Sequence, residues 1–431
     1  MSDLAILGGN PVRTRPFAPW PQYLAADAER VQQVIASRHW GGYPMPSRYA
    51  REFAGRFAAL HGAKYGLCLA NGTIAIIAAL QAAGIKFGDE VILPAYTWDG
   101  TATAILFAGG VPVFADVDPD TYCLTAATAE KHITPRTRAI LPVHLAMRFA
   151  DMDGLAALAR KHDLKIIEDC AHAHGGIYGT RGAGSIGDLG CFSLQESKLM
   201  TSGEGGIVIT SDLRAFEHLQ SQVNCGRASM TDRFRQRVLG SNYRMTDLQA
   251  ALLIGQLDMW PEMQAKREAA AKRLTDGLSA IKGIRPLPPQ AQITRSAIYC
   301  YVFQYRPERE GVARDLIAAA LDAEGIPCDG RFYEPVYRSD LFHATPQNSP
   351  QLKGDYSGVH CPVSERAAYH ESLWLPQFLL IGESSDVDDI LTAVDKVMRN
   401  FDALAKADPS LAGLKSMSRA ERPKHQRARN Y

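Results

Sequence analysis

The chain has 431 residues, too many for one ordinary domain and enough for two or three at about 150 residues each. With 46% hydrophobic and 22% charged residues it has the composition of a globular protein, which excludes disorder, collagen-like repeats and a disulfide-stapled miniprotein. Forty-seven basic residues against 46 acidic ones leave a net charge of +1, so the chain as a whole is not built for nucleic acid or an anionic membrane. Its eight cysteines form no C-x-x-C pair, and several sit in apolar runs, the pattern of free thiols in a reducing compartment. No run approaches the roughly 18 apolar residues of a membrane span, and the first residues lack the layout of a secretory leader. The expected location is the cytoplasm.

In chain order, an arm (1–20) precedes a run of strands and helices. Seven short apolar runs, YGLCLA (65–70), EVILPAY (90–96), VPVFADV (111–117), AILPVHL (139–145), LKIIEDC (164–170), LGCFSL (189–194) and GIVIT (206–210), read as strands buried on both faces. Helical patterns at 72–83, 101–108 and 152–162 separate several of them. This alternation predicts an α/β fold with a mostly parallel seven-stranded sheet and helices on both faces. The close spacing of the last two runs predicts an antiparallel edge. A helix over 246–260, capped by Thr246, and a charged one over 264–280 follow. The proline-rich stretch at 283–292 marks a boundary, so the large domain is taken as 21–285 and a smaller C-terminal α+β domain as 286–404. The latter opens with a strand at 298–306 and carries helices at 311–324 and 385–404. Residues 405–431, with seven Lys/Arg and two Asp/Glu, read as a solvated basic tail.

Three segments carry candidate chemistry. Asn71-Gly72-Thr73 opens a helix straight after a strand, which suits an anion such as a phosphate, although capping by Asn71 alone explains the same residues. Glu168-Asp169 ends a strand, where open α/β sheets present functional side chains. The nearby Cys170, His172 and His174 lack a fourth metal ligand, and no metal is expected. Lys198 follows another strand in a glycine-rich loop, and reads either as a loop charge or as an amine nucleophile. Together the three are the parts of a pyridoxal phosphate site.

The blocks NGTIAI, PAYTWDGTA, VFADVDPDTY, LPVHL, IEDCAHAHGG, FSLQESKLMTSGEGG and GSNYRMTDLQAA occur in one order. In that order, from about residue 11 to 397, the chain resembles the DegT/DnrJ/EryC1/StrS family of fold-type-I pyridoxal phosphate aminotransferases. The resemblance implies Lys198 as the Schiff-base lysine and Asp169 as the carboxylate facing the pyridine nitrogen. Gly72, Thr73, Ile74 and Ser193 match the phosphate surroundings, and Trp98 the residue stacked on the ring. Asn242 matches a residue reaching the partner's phosphate in a homodimer with shared sites, with Arg244 a second candidate beside it. His172 stands where many members carry glutamine near the cofactor's 3′-oxygen. Related sugar dehydratases carry histidine at the lysine position, so Lys198 favours amino transfer.

The segments around 224–230, 334–342 and 361–382 resemble the glutamine:scyllo-inosose aminotransferase branch. The resemblance implies glutamine or glutamate as donor, a keto-cyclitol or keto-sugar as acceptor, and a pyridoxamine phosphate form between the half-reactions. Aminohydroxybenzoate synthases, which aromatise a ring, and a non-catalytic regulatory relative are the alternatives. Candidate substrate contacts are Tyr43, His144, Arg148, Arg227, Tyr333, His370 and Trp374.

Overall fold

The computed structural model describes residues 3–43, 45–227, 235–307, 311–342, 349–352, 354 and 356–417. The part of the basic tail beyond 417 lies outside them. Helices α1 (Ala25–Ser37) and α2 (Arg48–Leu60) lead into β1 (Tyr65–Leu69), α3 (Gly72–Ala82), β2 (Glu90–Pro94), α4 (Asp99–Phe107) and β3 (Val111–Ala115). The chain continues through α5 (Ala126–Glu130), β4 (Thr137–Ile140), α6 (Met152–His162) and β5 (Lys165–Asp169). A small hairpin, β6 (Ile177–Tyr178) and β7 (Arg181–Gly182), precedes β8 (Leu189–Ser193), β9 (Gly206–Thr210) and α7 (Leu213–Val223).

All seven expected runs enter one sheet, ordered β1-β9-β8-β5-β4-β2-β3. Pairing is parallel except along both sides of β9. The antiparallel strand therefore exists, but it lies one place inside the edge, not at it. GIVIT is apolar throughout and wholly buried, which suits an interior position, while β1, with two partly exposed residues, takes the edge.

The two helices expected over 246–260 and 264–280 are one, α8 (Asp247–Leu278), running through Pro261. A proline inside a helix costs about 3 kcal/mol. Burial of Trp260, Gln264, Arg267, Ala271 and Leu274 along one face offsets it. Thr246 accepts from Gln249 N while the Gln249 side chain accepts from Thr246 N, closing the helix start as a capping box.

The stretch 283–292 has its flanks paired to different sheets. Strand β10 (Ile284–Pro286) pairs with β12 (Cys300–Tyr305), and β11 (Ile293–Arg295) pairs with β6. Beyond β12 come α9 (Arg314–Ala323), α10 (Pro362–Arg366), β13 (Ser372–Pro376) on the other side of β12, α11 (Ser384–Arg399) and α12 (Phe401–Ala405). The helix expected over 385–404 thus breaks at Asn400. The N-terminal arm packs on this C-terminal part. Ala5 N and Val12 N donate to the Glu324 carboxylate at 2.9 and 3.0 Å, and buried Arg13 bridges Asp386 and Asp389 at 2.8 and 2.7 Å.

Glu168, fully buried on β5, pins the turn between β7 and β8. It accepts from Gly184 N (2.9 Å), Ile186 N (2.8 Å) and Gly187 N (2.6 Å), and pairs with His144 Nε2 at 2.9 Å. Glu168→Ala strands those donors. We expect it to cost about 3–5 kcal/mol, read as a lower urea midpoint of the cofactor-free protein.

Candidate active site

Strands β1, β2, β5 and β8 run parallel, so their C-terminal ends lie along one edge of the sheet. Each end delivers a different part of the site. From β1 come Asn71, Gly72 and Thr73; from β2, Trp98; from β5, Asp169; from β8, Ser193 and then Lys198. These residues line one cavity of about 800 Å3, together with Ile74, Thr101, His172, Tyr243, Tyr299 and Tyr333. That size suits a cofactor and a small substrate.

At the start of α3, Asn71 Oδ1 accepts from Ile74 N at 2.9 Å. The Ile74 N–H is thus committed to the cap, and Ile74 contributes only its side chain to the wall. A Cβ on Gly72 would meet Ser193 Cβ at 2.7 Å, so a glycine is required where the helix start meets the β8 end. Helix N-terminus, Thr73 hydroxyl and Ser193 hydroxyl converge there, a donor set that fits a phosphate. A Cβ on Gly100 would meet Trp98 Cδ1 at 2.7 Å, because the indole folds over the first turn of α4. Trp98 remains 49% exposed at the cavity mouth.

Asp169 is held from two sides. Oδ1 accepts from Ala171 N at 3.1 Å, and Oδ2 accepts from Thr101 Oγ1 at 2.8 Å. Burial pushes its carboxyl above the usual range, and the Ala171 amide, the Thr101 hydroxyl and the Lys198 charge pull it back. A cationic ring nitrogen against this group would complete its neutralisation. Lys198 Nζ stands 4.3 Å from the centre of the Tyr299 ring, a cation–π contact. The residues present therefore fit pyridoxal phosphate at its phosphate, its ring nitrogen and its carbonyl carbon.

His172 is in the wall. Its imidazole lies 4.0 Å from the Tyr299 ring in a stacked arrangement, and its Nε2 is 3.1 Å from Tyr333 Oη. Of the other substrate candidates, only Tyr333 lines the cavity. His144 is buried behind the sheet edge, accepting from Ala150 N and paired to Glu168, so it has no reach into the site. Arg148 Nη2 donates to Leu287 O at 2.7 Å, and burial draws its guanidinium pKa down. Trp374, 1% exposed, stacks on Phe332 at 4.6 Å and donates to Ser372 Oγ, supporting Tyr333 from behind. His370 is exposed, in a helical turn outside the lining.

Tyr43, Arg227 and Arg244 gather elsewhere: both guanidinium groups lie over the Tyr43 ring and both donate to Asn224 Oδ1, at 3.0 and 2.8 Å. Asn242, exposed, bridges to Asn224 and lies outside this chain's own cavity lining.

Cys170, His172 and His174 diverge. The Cys170 thiol is buried, and His174 Nδ1 accepts from Met200 N. His144, Glu168 and Cys170 do bring ligand atoms within 4.8 Å, but the Glu168 oxygens are already occupied by backbone amides.

Thr101 and Tyr299 were not among the sequence candidates. Thr101 could have been found from its place in the first turn of α4, beside the strand end carrying Asp169. Tyr299 precedes β12, and only the packing of that strand against the sheet brings it to Lys198.

The model of the DegT/DnrJ/EryC1/StrS aminotransferase family matches residues 24–395. A relative from Streptoalloteichus tenebrarius, named "Putative L-glutamine:3-amino-2,3-dideoxy-scyllo-inosose aminotransferase", is 46% identical over 94% of this chain and 99% of its own length. An L-glutamine:2-deoxy-scyllo-inosose aminotransferase from Micromonospora echinospora is 36% identical over 93% and 99%. The crystal structure of a 3-amino-5-hydroxybenzoic acid synthase superposes with a TM-score of 0.80 at 29% identity, covering 90% of this chain and 100% of that one. Family model, relatives and fold agree across nearly the whole length, and the chain belongs to the DegT/DnrJ/EryC1/StrS aminotransferase family.

Proposed function

We propose that this aminotransferase uses pyridoxal phosphate to move an amino group from glutamine, or glutamate, to a keto-cyclitol in aminocyclitol biosynthesis. The observation that carries the acceptor class is the cavity's charge. Lys198 is the only lysine or arginine among the described residues lining it. A nucleotide-linked sugar brings a diphosphate that needs cations, whereas a cyclitol brings hydroxyls, which suit Thr97, Gln195, Tyr299 and Tyr333. The named activities of the relatives point the same way. The likeness to an aminohydroxybenzoate synthase supports a second reading, in which the cyclic product is aromatised.

Bound at this site, pyridoxal phosphate supplies an electrophilic carbon and a ring that accepts the electron pair released at the donor's α-carbon. Lys198 Nζ anchors the cofactor and, once displaced, takes the α-proton and returns it on the cofactor side. The Tyr299 ring beneath Nζ steadies the ammonium. Asp169, ionised against the ring nitrogen, keeps that nitrogen protonated. Gly72, Thr73 and Ser193 hold the phosphate, and Trp98 covers the ring. His172 is turned toward Tyr333 and would meet the cofactor only by packing.

The reading includes a homodimer. Phe107, 71% exposed, and Trp98 form an apolar rim at the cavity mouth, where a second copy would exclude water. Asn242 and Arg244, outside their own cavity, would then reach the cofactor phosphate of the neighbouring one, leaving the acceptor space with no added cation. The eight thiols, none paired, fit a reducing cytoplasm, and among the described residues no helix is long and apolar enough to cross a membrane.

With the cofactor and glutamine supplied, the protein should aminate 2-deoxy-scyllo-inosose and leave nucleotide-linked ketosugars untouched, as read by product mass. The reverse preference would refute the cyclitol assignment. Lys198→Ala should abolish turnover, and borohydride should fix the cofactor to the Lys198 peptide of the wild type alone. Thr101→Val removes a donor that favours the ionised carboxyl, so Asp169 should titrate at higher pH. Isotope-edited carboxyl NMR of the cofactor-free protein checks that direction, and an unchanged or lower midpoint would contradict it.

A further inference from the structure

His172 and Tyr333 both line the cavity, and both are buried, at 5% and 6% exposure. Two contacts and the burial of the imidazole determine where their protons lie. Ala146 N donates to His172 Nδ1 at 3.2 Å, and His172 Nε2 faces Tyr333 Oη at 3.1 Å. Burial, helped by the charges of Lys198 and His174, holds the imidazole well below its usual pKa and therefore neutral. A neutral imidazole has one N–H. With Nδ1 accepting, the proton is on Nε2, and Nε2 donates to Tyr333. Tyr333 Oη accepts there, so its own proton is directed away from His172, toward a second acceptor.

The tyrosine cannot swing to undo this. Phe332 and Trp374 meet its ring edge-on at 4.8 and 5.8 Å, and Tyr96 does so at 6.3 Å. The loop beneath it is tied down from three sides. The buried Arg314 Nη1 donates to Gly330 O at 2.6 Å, Asp329 and Trp374 exchange backbone hydrogen bonds, and Val336 N donates to Ala95 O at 2.8 Å. The imidazole is fixed in turn by stacking on Tyr299, and its plane lies within 3° of the Tyr333 ring plane.

We propose that Tyr333 is a one-way hydrogen-bond donor to an oxygen of the acceptor substrate, and that His172 is the positioning residue that fixes its direction. The substrate half of this inference rests on the keto-cyclitol reading; the proton arrangement does not. It assigns the histidine to substrate reading through tyrosine.

Tyr333→Phe should raise KM for 2-deoxy-scyllo-inosose about tenfold to hundredfold, the size of one lost hydrogen bond that leaves a buried partner unpaired, with a smaller effect on kcat and on glutamine. His172→Leu should do the same, and the double variant should be no worse than the worse single one, because the two act as a unit. His172→Gln should recover most of the loss, since its amide can accept from Ala146 and donate to Tyr333. A KM within about twofold of wild type in Tyr333→Phe, or additive losses in the double variant, would overturn the proposal. Should the wild type aminate no keto-cyclitol, the substrate reading fails by itself, and nitrogen NMR of the cofactor-free protein decides the rest. The proton must be on His172 Nε2; a proton on Nδ1, or a doubly protonated ring, overturns the relay for any acceptor.

Discussion

The site depends on the end of β5, where two adjacent carboxylates face opposite ways. Alternation along a strand sends successive side chains to opposite faces of the sheet. Glu168 goes to the face where Gly184, Ile186 and Gly187 present their amides, and Asp169 goes to the face where Thr101 and Lys198 wait. A slip of one residue would exchange the two and destroy both the turn and the cavity. The observed register of β5, with Lys165 opposite Ala139 of β4 and Asp169 opposite Cys191 of β8, keeps each carboxylate on its own face. The remaining parts, from β1, β2 and β8, reach the same edge because those strands run the same direction.

Much of this was legible in the residues themselves. Short apolar runs at regular spacing identified every strand of the main sheet, since strands buried on both faces must be apolar throughout. The helix at Met152–His162 agreed at both ends, capped by Asp151 and closed at Asp163. Lys198 and Asp169 stood out as unusual residues at strand ends, and the structure brings both to one cavity. The misses have a common cause. His144, Arg148 and Trp374 are polar or aromatic residues in suggestive segments, but each is consumed by a local structural bond whose partner is far away in sequence: Glu168, Leu287 and Phe332. Nothing in one-dimensional spacing reveals which of two such residues faces a cavity. The position of β9 and the continuity of α8 through Pro261 were likewise decided by tertiary burial, which overrides local signals.

The C-terminal part contributes differently from the sheet domain. The residue just before β12 and the loop 329–336 supply Tyr299 and Tyr333, the aromatic wall opposite the strand ends. They form part of the cavity wall and so limit the width of what can lie in it. Arg314, fully buried and bonded to three carbonyls, gives this wall its rigidity.

The attachment of the N-terminal arm also has a consequence for synthesis. Ala5 and Val12 find their carboxylate on Glu324, and Arg13 finds its partners on α11. A ribosome delivers the arm first and its partners more than three hundred residues later. During that interval Arg13 has none of its native counter-charges, and the large sheet must form with a loose strand of chain beside it. The last helices thus close a circuit that begins at the first residues. The aromatic wall itself is complete only once Tyr333 has emerged, so before that point the growing chain cannot hold a complete active site.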